Sequence, residues 1–392
     1  MIDWKAEEDR HVLPTYEKFP FVLERGEGCW VWDEQGNKYL DLYGGHAVAA
    51  IGHSPDVVAE AVARQAKELL FYSNLVYSRR RAEAAKALVE LCGQRGSQVF
   101  FCNSGAEANE NAMRLARSTT GRAVIVATQG SFHGRTAAAM AATGNPKYHK
   151  GVAGLGADVV HVPFGDLAAA DAALDENAAG FLLEPIQSMA GAVMPPDGYL
   201  SGLEALCAKR GALLIFDEVQ TGLGRVGAPS AARAYDVSPH LQTFAKALGS
   251  GVPAAAVLAR EDVARRVKVG ELGSTFGGGP LACAAVTATL GEISRLKLWE
   301  NAAAMEALIR TSFKFPQLKE VRGKGLLLAL VLDRPSKAAR QALLAKRILV
   351  GGADDANVIR LLPPLTVTAE QIGMLKTALE EIFAAETAGA AR

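Results

Sequence analysis

The sequence has no excess of charge of either sign and no hydrophobic run that approaches the length of a membrane span. Lys plus Arg and Asp plus Glu each number 42, so the formal net charge is zero. That balance provides no excess of positive charge that would favour binding to nucleic acid or to an anionic membrane. The first ten residues, MIDWKAEEDR, lack the apolar core of a signal peptide. We therefore expect a cytoplasmic protein that binds small molecules, not nucleic acid or membranes.

Cysteine is also scarce, with five residues and no CxxC pair. An odd, scattered set is typical of small apolar residues in a reducing compartment and not of a disulfide framework. The seven histidines show no HExxH motif and no clustered ligand spacing. The sequence therefore predicts neither disulfides nor a metal site.

Apolar runs alternate with helical patterns through the middle of the chain. The predicted strands are QVFFC (98–102), AVIVA (123–127), DVVHV (158–162), GFLLE (180–184), ALLIFD (212–217) and AAAVLA (254–259). Continuous apolar runs are typical of parallel strands that are covered on both faces. Helical segments such as AEANENAMRLAR lie between several of them. This alternation predicts an α/β fold with a mostly parallel sheet flanked by helices.

The pattern changes near residue 290 to helix, strand (GLLLALVL, 325–332), helix, short strands and a last helix. Together with the first residues, this part is long enough for a second domain. We predict a large cofactor-binding domain at 46–289 and a smaller α+β domain formed by 1–45 and 290–392.

Candidate site residues follow the predicted strands, where ligands of open α/β sheets bind. Ser104 and Gly105 begin a helix after the first strand, and a helix N-terminus suits a phosphate. Phe132, His133 and Arg135 lie in a Gly-rich loop after the second strand. Ser104 equally fits an ordinary N-cap, and Phe132 an ordinary core residue.

Two further strand ends carry charged groups. The strand ALLIFD ends on Asp217, followed by Glu218, and Lys246 lies in the apolar stretch FAKALGSG. A lysine among apolar neighbours can have a lowered pKa and act as a nucleophilic amine, although a lone lysine more often lies at the surface. Alternation puts Asp217 and Val219 on one side and Glu218 on the other, where we assign it no chemistry.

These strand-end groups together predict a site for pyridoxal 5′-phosphate. That cofactor needs a Schiff-base lysine, a carboxylate beside the pyridine nitrogen, a phosphate cradle and a stacking aromatic ring. An anion such as Asp217 beside the ring nitrogen raises the pKa of that nitrogen and keeps it protonated. Val219 is then placed to pack beneath the ring.

The chain resembles the class III aminotransferases of the fold-type I pyridoxal-phosphate family, closest to the acetylornithine and ornithine aminotransferases. The resemblance spans nearly the whole length in family order. Its segments are GEGCWVWDEQGNKYLDLYGGHAV (26–48), NSGAEAN, FHGRT, EPIQ, DEVQTGLGR, FAK, GSTFGGGP, VRGKGLL and IRLLPPL (359–365). It implies a fold-type I transferase and the roles that follow.

The resemblance implies that Gly105 and Ala106 bind the cofactor phosphate and that Phe132 stacks on its ring. It further implies that Asp217 pairs with the ring nitrogen, that Gln220 approaches the ring hydroxyl and that Lys246 forms the Schiff base. It also implies that Arg135 and Arg360 hold substrate carboxylates, which an arginine fork binds bidentately. Ser274 and Thr275 would reach the partner subunit's site, Thr275 at the phosphate and Ser274 at the substrate. A shared site implies a homodimer.

The implied reaction moves the terminal amino group of N-acetylornithine to 2-oxoglutarate, giving N-acetylglutamate 5-semialdehyde and glutamate in arginine biosynthesis. Lys246 is the expected general base. Other donors of this family stay open: succinyl-diaminopimelate, ornithine, 4-aminobutyrate and carrier-linked lysine. An aminomutase or a non-catalytic pyridoxal-binding protein is less consistent with the paired arginines.

Two positions depart from the family pattern. Gly279 stands where the family usually has asparagine, and we expect a local effect only. Met189, in EPIQSMAG, stands where relatives usually have a glutamate that pairs with the arginine placed here at Arg360. This departure concerns the choice of amino donor and leaves the reaction type unchanged.

Overall fold

The structure is a computed structural model that describes residues 2–151, 154, 156 and 158–390. Its strands are β1 (Leu23–Glu27), β2 (Trp30–Asp33), β3 (Lys38–Asp41), β4 (Gln98–Cys102), β5 (Val124–Thr128), β6 (Val159–Val162), β7 (Ala178–Leu183), β8 (Leu213–Asp217), β9 (Leu241–Phe244), β10 (Ala255–Ala259), β11 (Leu318–Lys324), β12 (Leu327–Leu332), β13 (Ile348–Leu349) and β14 (Val358–Leu361). Its helices are α1 (Trp4–His11), α2 (Gly44–Ala47), α3 (Asp56–Glu68), α4 (Arg79–Cys92), α5 (Gly105–Thr120), α6 (Ala137–Ala142), α7 (Leu167–Ala173), α8 (Tyr199–Arg210), α9 (Ala231–Ala234), α10 (Glu261–Ala264), α11 (Pro280–Leu296), α12 (Leu298–Ser312), α13 (Lys337–Ala345) and α14 (Ala369–Ala390). Short 3-10 helices span Pro146–His149 and Lys246–Gly249.

The central sheet has seven strands in the order β4-β10-β9-β8-β7-β5-β6. Neighbours from β9 to β6 run parallel, whereas β10 is antiparallel to both β9 and β4. The predicted α/β fold with a mostly parallel sheet is confirmed. The strand β9 is absent from the predicted strands because Gln242 and Thr243, both fully buried, interrupt its apolar pattern.

The two faces of this sheet receive alternate side chains of its strands. In β8, Leu213 and Ile215 pack into the cluster that contains the buried face of α5. Leu214 and Phe216 pack into the cluster on the opposite face, with α7 and α8. Because successive side chains alternate, the next two residues of the chain leave toward opposite faces. This alternation decides where the paired acids point.

Two smaller sheets lie outside the central one. The first has the order β1-β2-β3-β13, and the second is the antiparallel β11-β12-β14. The predicted strand GLLLALVL corresponds to β12. Its hairpin partner β11 escapes prediction because its sequence, LKEVRGK, is mostly polar and only partly buried. The domain boundaries 46–289 and 1–45 with 290–392 stay a prediction.

Within the described ranges, no helix is long and apolar enough to span a bilayer. The same residues contain no group of three or more His, Cys, Asp and Glu side chains arranged to hold a metal ion. All five cysteines are free and buried, and they serve as small core residues.

Candidate active site

A cavity of about 380 Å³ lies where β4, β5, β7, β8 and β9 end. The predicted cofactor residues that line it are Gly105, Ala106, Phe132, Asp217, Val219, Gln220 and Lys246. These residues are far apart in sequence and meet because parallel strands deliver their carboxyl ends to one edge of the sheet. The lining does not include Arg135, Ser274, Thr275 or Arg360.

Asp217 is held rigidly at the wall of this cavity. Its Oδ2 lies 2.7 Å from Asn109 Nδ2 and 2.7 Å from His133 Nδ1, and its Oδ1 accepts the Val219 N–H at 3.0 Å. Thr243 Oγ1 in turn donates to Asn109 Oδ1 at 2.7 Å. Asp217 is 3% exposed, and its partners fix its carboxylate in one orientation.

Glu218, the next residue, points to the other side of the sheet. Its carboxylate accepts the backbone N–H groups of Ala231 and Ala232 at the start of α9. Burial raises the pKa of Glu218 to about 7, against the lowering effect of these two hydrogen bonds. A helix N-terminus favours such an anionic partner. Glu218 therefore anchors α9, outside the cavity lining.

Lys246 follows β9 in a strained backbone conformation. Its φ of 44° lies in the left-handed region, which non-glycine residues seldom adopt. Burial lowers the pKa of Lys246 to about 8, while the negative charges of Asp217 and Glu184 oppose this shift. A substantial fraction of this amine is therefore neutral near physiological pH and able to act as a nucleophile or base.

The N-terminus of α5 forms another wall. Ser104 Oγ accepts the Glu107 N–H at 3.2 Å, so Ser104 is the N-cap. The next position favours glycine, because a Cβ on Gly105 would lie 3.0 Å from both methyl groups of Val219. The first N–H groups of a helix have no intrahelical partner. This end of α5 thus offers donors and a partial positive charge.

Phe132 lies half-buried in the loop after β5, with its ring edge-to-face on Tyr148 at 5.0 Å between centroids. Its backbone N–H donates to Glu184 Oε1 at 2.9 Å, and the N–H of Ser188 donates to Glu184 Oε2 at 3.2 Å. Burial, reinforced by the charge of Asp217, raises the pKa of Glu184 to about 7. Glu184 therefore ties the Phe132 loop to the end of β7.

Arg360 is buried in β14 without an acidic partner. It is 1% exposed, and Nη2 donates to Tyr43 Oη at 2.6 Å. Its Nη1 donates to Ser188 Oγ at 3.1 Å and lies 3.0 Å from Met189 Sδ. Among the described residues, no carboxylate forms an ion pair with Arg360. In the described part of the chain, no acid therefore stands in for the glutamate that the resemblance predicts at position 189.

The other three predicted substrate and phosphate residues lie nearer the surface. Arg135 is exposed, with its guanidinium carbon 5.0 Å from the Tyr148 ring centroid. Ser274 Oγ accepts hydrogen bonds from Asn103 Nδ2 at 3.2 Å and from a backbone N–H three residues later. Thr275 is exposed. Their predicted roles remain predictions.

Comparison with known proteins places the chain in a family. The family model described as aminotransferase class-III matches residues 12–383. An acetylornithine aminotransferase of Methanothermobacter thermautotrophicus is 42% identical over 371 residues, covering 93% of this chain and 94% of the relative. One from Streptomyces coelicolor is also 42% identical, covering 93% and 92%.

The chain belongs to the class-III aminotransferases.

Solved structures agree with this membership. The chain superposes on the ornithine aminotransferase of Toxoplasma gondii with a TM-score of 0.92 and 32% identity, covering 100% of this chain and 96% of that one. The acetylornithine aminotransferase of Elizabethkingia anophelis gives a TM-score of 0.83 and 33% identity, covering 97% and 98%. The fold-type I architecture of this class-III aminotransferase is therefore shown along its length.

Class-III aminotransferases use pyridoxal 5′-phosphate, and the cavity fits that cofactor chemically. It combines an amine of lowered pKa, a fixed carboxylate at the end of the neighbouring strand, a helix N-terminus and an aromatic ring. The start of α5 packs closely against the loop after β5, because a Cβ on Gly134 would lie 2.6 Å from Ala106 Cβ. Lys246, Asp217 and the start of α5 are the groups that would hold the cofactor.

Sequence reasoning missed the side chains that support the predicted ones. Asn109 is a buried polar residue on the alanine-rich face of α5, and that break in an apolar stripe is a usable signal. For His133 the sequence indicates only a position in the loop after β5. Tyr43 and Ser188 carry no sequence signal for a contact with Arg360, since that contact joins distant segments.

Proposed function

We propose that this aminotransferase moves the terminal amino group of N-acetylornithine to 2-oxoglutarate, forming N-acetylglutamate 5-semialdehyde and glutamate in arginine biosynthesis. The observation that carries the proposal is the identity of 39–42% to acetylornithine aminotransferases over 93–97% of this chain. The lysine and carboxylate at the cavity supply the groups that a transamination requires.

We assign the cofactor contacts by role. When bound, pyridoxal phosphate supplies an aldehyde for the amino group and a ring that withdraws electrons from the reacting carbon. The assignments are Gly105, Ala106 and the partner's Thr275 to the phosphate, Phe132 and Val219 to the two ring faces, Asp217 to the ring nitrogen, Gln220 to the ring hydroxyl and Lys246 to the aldehyde carbon. Asn109 and His133 support the assignment of Asp217, because they orient its carboxylate.

Lys246 is the proposed general base. It takes the proton from the donor's reacting carbon and later delivers it to the carbon of the cofactor. Its pKa of about 8 supports this role, because a base near the working pH can accept and release a proton readily. Arg135, Arg360 and the partner's Ser274 are assigned to the substrate, with the arginines at its carboxylates.

We propose that the working unit is a homodimer. Its support is an exposed apolar region that includes Leu75 (91% exposed), Tyr77 and Phe276. Asn74 Nδ2 donates to the backbone oxygens of Ser274 and Gly277, which holds the loop of Thr275 beside that region. A region of this kind is typical of a subunit interface. The free, buried cysteines support a cytoplasmic location.

A donor screen tests the proposed substrate. The purified protein is given 2-oxoglutarate with N-acetylornithine, ornithine, succinyl-diaminopimelate, 4-aminobutyrate or a carrier-linked lysine, and glutamate is measured. We expect the highest kcat/KM with N-acetylornithine. A higher value with ornithine would favour that alternative, which the similarity to the Toxoplasma gondii structure supports at lower identity. Product formation without 2-oxoglutarate would instead indicate an aminomutase.

Complementation tests the shared site. Lys246→Ala subunits are expected to be inactive and Thr275→Ala subunits weakly active, and mixing them after partial dissociation should restore up to one wild-type site per dimer. Unrestored activity in verified mixed dimers would contradict the assignment of Thr275 to the partner's phosphate.

A further inference from the structure

Arg360 contacts three neutral groups, all of which act toward it as acceptors. The guanidinium has five N–H donors. Two on Nη1 face Ser188 Oγ and Met189 Sδ, and one on Nη2 faces Tyr43 Oη. Two donors remain, the second on Nη2 and the one on Nε, and Nε is buried without a partner among the described residues. A buried cation with unused donors is incomplete without an anion.

The hydroxyl of Tyr43 is itself oriented by a histidine. Arg360 can only donate, so Tyr43 Oη accepts from it and directs its own proton elsewhere. His46 Nδ1 lies 2.8 Å from that oxygen. Desolvation, with smaller effects from the charges of Arg360 and Lys246, lowers the pKa of His46 and so favours its neutral ring. In the tautomer that carries its proton on Nε2, Nδ1 accepts the proton of the Tyr43 hydroxyl.

Ser188 repeats this arrangement on the other side of the guanidinium. Its Oγ accepts from Arg360 Nη1 and donates to Gln220 Oε1 at 2.5 Å. Ser188 is fully buried, so its hydroxyl has no water to turn toward. Both hydroxyl groups therefore point their protons away from the Arg360 guanidinium. Neither is an anion, so neither neutralises the charge of Arg360.

We propose that Tyr43 and Ser188 are positioning residues that orient Arg360, without neutralising it, to receive the carboxylate next to the reacting carbon of a dicarboxylic substrate. The carboxylate would bind to the two unused N–H groups, which lie on adjacent nitrogens and match its two oxygens. A side-chain carboxylate in place of Met189 would have to leave before the substrate could bind. The neutral thioether imposes no such competition. This inference rests on the proposed function for the identity of the dicarboxylate.

Glutarate binding tests the inference without turnover, because glutarate has two carboxylates and no group that can be transaminated. The dissociation constant is measured by calorimetry on the cofactor-loaded protein. Tyr43→Phe should raise it roughly tenfold, since a hydrogen bond to a charged group is lost. Ser188→Ala should raise it too. Tyr235→Phe is the matched control, because its buried hydroxyl has no partner among the described residues, and it should leave glutarate binding unchanged.

A second readout separates positioning from a general loss of structure. In Tyr43→Phe the KM for 2-oxoglutarate should rise by a larger factor than kcat falls, with the bound-cofactor absorption and the unfolding temperature as in the Tyr235→Phe control. Glutarate constants within twofold of the parent for both Tyr43→Phe and Ser188→Ala would overturn the inference. Failure of N-acetylornithine as donor, with these glutarate effects present, would instead overturn only the proposed donor.

Discussion

Asp217 and Glu218 are adjacent acids at the end of one strand, yet they lie in opposite surroundings. Asp217 faces the cavity and is held by two side-chain donors, Asn109 and His133. Glu218 faces away and accepts two backbone N–H groups at the start of α9. Both are buried. The first is positioned toward a ligand, whereas the second completes the hydrogen bonding of the protein itself.

The contrast shows that burial of an acid does not by itself indicate catalysis. What distinguishes the two is whether the carboxylate borders empty space. Asp217 lines the cavity together with Lys246, while Glu218 contacts only protein. Substitution of Asp217 or Lys246 should therefore reduce activity, whereas substitution of Glu218 should reduce stability.

Lys246→Ala should have the largest effect, because it removes the amine that lines the cavity. We expect turnover to fall to background and the absorption band of lysine-bound pyridoxal phosphate to disappear. Steady-state assays and absorption spectra measure both. Lys209→Ala, at an exposed lysine, is the control. A variant that still shows the band as purified and still transaminates would remove Lys246 from its role.

Asp217→Asn should keep the fold and the cofactor yet reduce kcat by about 100-fold or more, the scale expected for a main electrostatic group. The neutral amide cannot hold the ring nitrogen in its protonated form. Rate measurements at cofactor saturation, with circular dichroism as a check of folding, test this. A loss of only a few-fold would show that Asp217 does not supply that charge.

Met189→Glu should change which donor is preferred. The new carboxylate can neutralise Arg360 while a terminal amine reacts, and an unpaired buried charge costs about 1–3 kcal/mol. The ratio of kcat/KM for the terminal-amine donor to that for glutamate should rise roughly tenfold. Stopped-flow half-reactions with each donor alone measure the ratio.

Met189→Gln is the matched control for that change, because it adds polarity without charge and should leave the donor ratio near the parent value. An unchanged ratio in Met189→Glu would mean that Met189 is a packing residue and that donor choice lies elsewhere.

The pH dependence of cofactor attachment should reflect the lowered pKa of Lys246. Only the neutral amine attacks the aldehyde, so with a pKa of about 8 the rate for the apoprotein should rise roughly fivefold from pH 7 to pH 8 and less than about twofold above that. Stopped-flow absorbance across this range measures the profile. A rise that continues about tenfold per pH unit beyond pH 9 would contradict the lowered pKa.

Glu218→Gln should have the smallest effect on turnover and act on stability instead. One of the two backbone N–H groups of α9 loses its acceptor, which costs about 1–2 kcal/mol of unfolding free energy. Activity per folded molecule should stay within about twofold. Urea unfolding at pH 8 measures the loss, with exposed Glu90→Gln as control. A large fall in kcat with unchanged stability would reverse the comparison between the two acids.

Much of the fold and the cavity was predictable, for a physical reason. Buried parallel strands are continuous apolar runs, and ligands bind at their carboxyl ends, so Asp217 could be picked from the residues that follow such a run, and Lys246 from its apolar surroundings. The same rule failed for β9 itself, where Gln242 and Thr243 are buried in the sheet. Thr243 is there because its hydroxyl holds Asn109.

The surroundings of Arg360 were less predictable. The absence of a glutamate at position 189 was visible in the sequence, but its replacement was not. Tyr43 and Ser188 reach the guanidinium from segments that are distant in the chain, and hydroxyl groups have no sequence pattern that marks such long-range contacts. Periodicity reports which face a residue occupies and not which side chain it will meet.

The antiparallel strand β10 supplies the pairing partner of a strand that is synthesised much earlier. The strand β4, which leads into the phosphate-binding end of α5, pairs with β10 and with no other strand of the central sheet in the described part of the chain. Until β10 has emerged from the ribosome, β4 has an open edge, and open edges invite pairing with other chains. In a growing chain β4 therefore stays unpaired until residue 259 is available, and an unpaired strand is a template for aggregation.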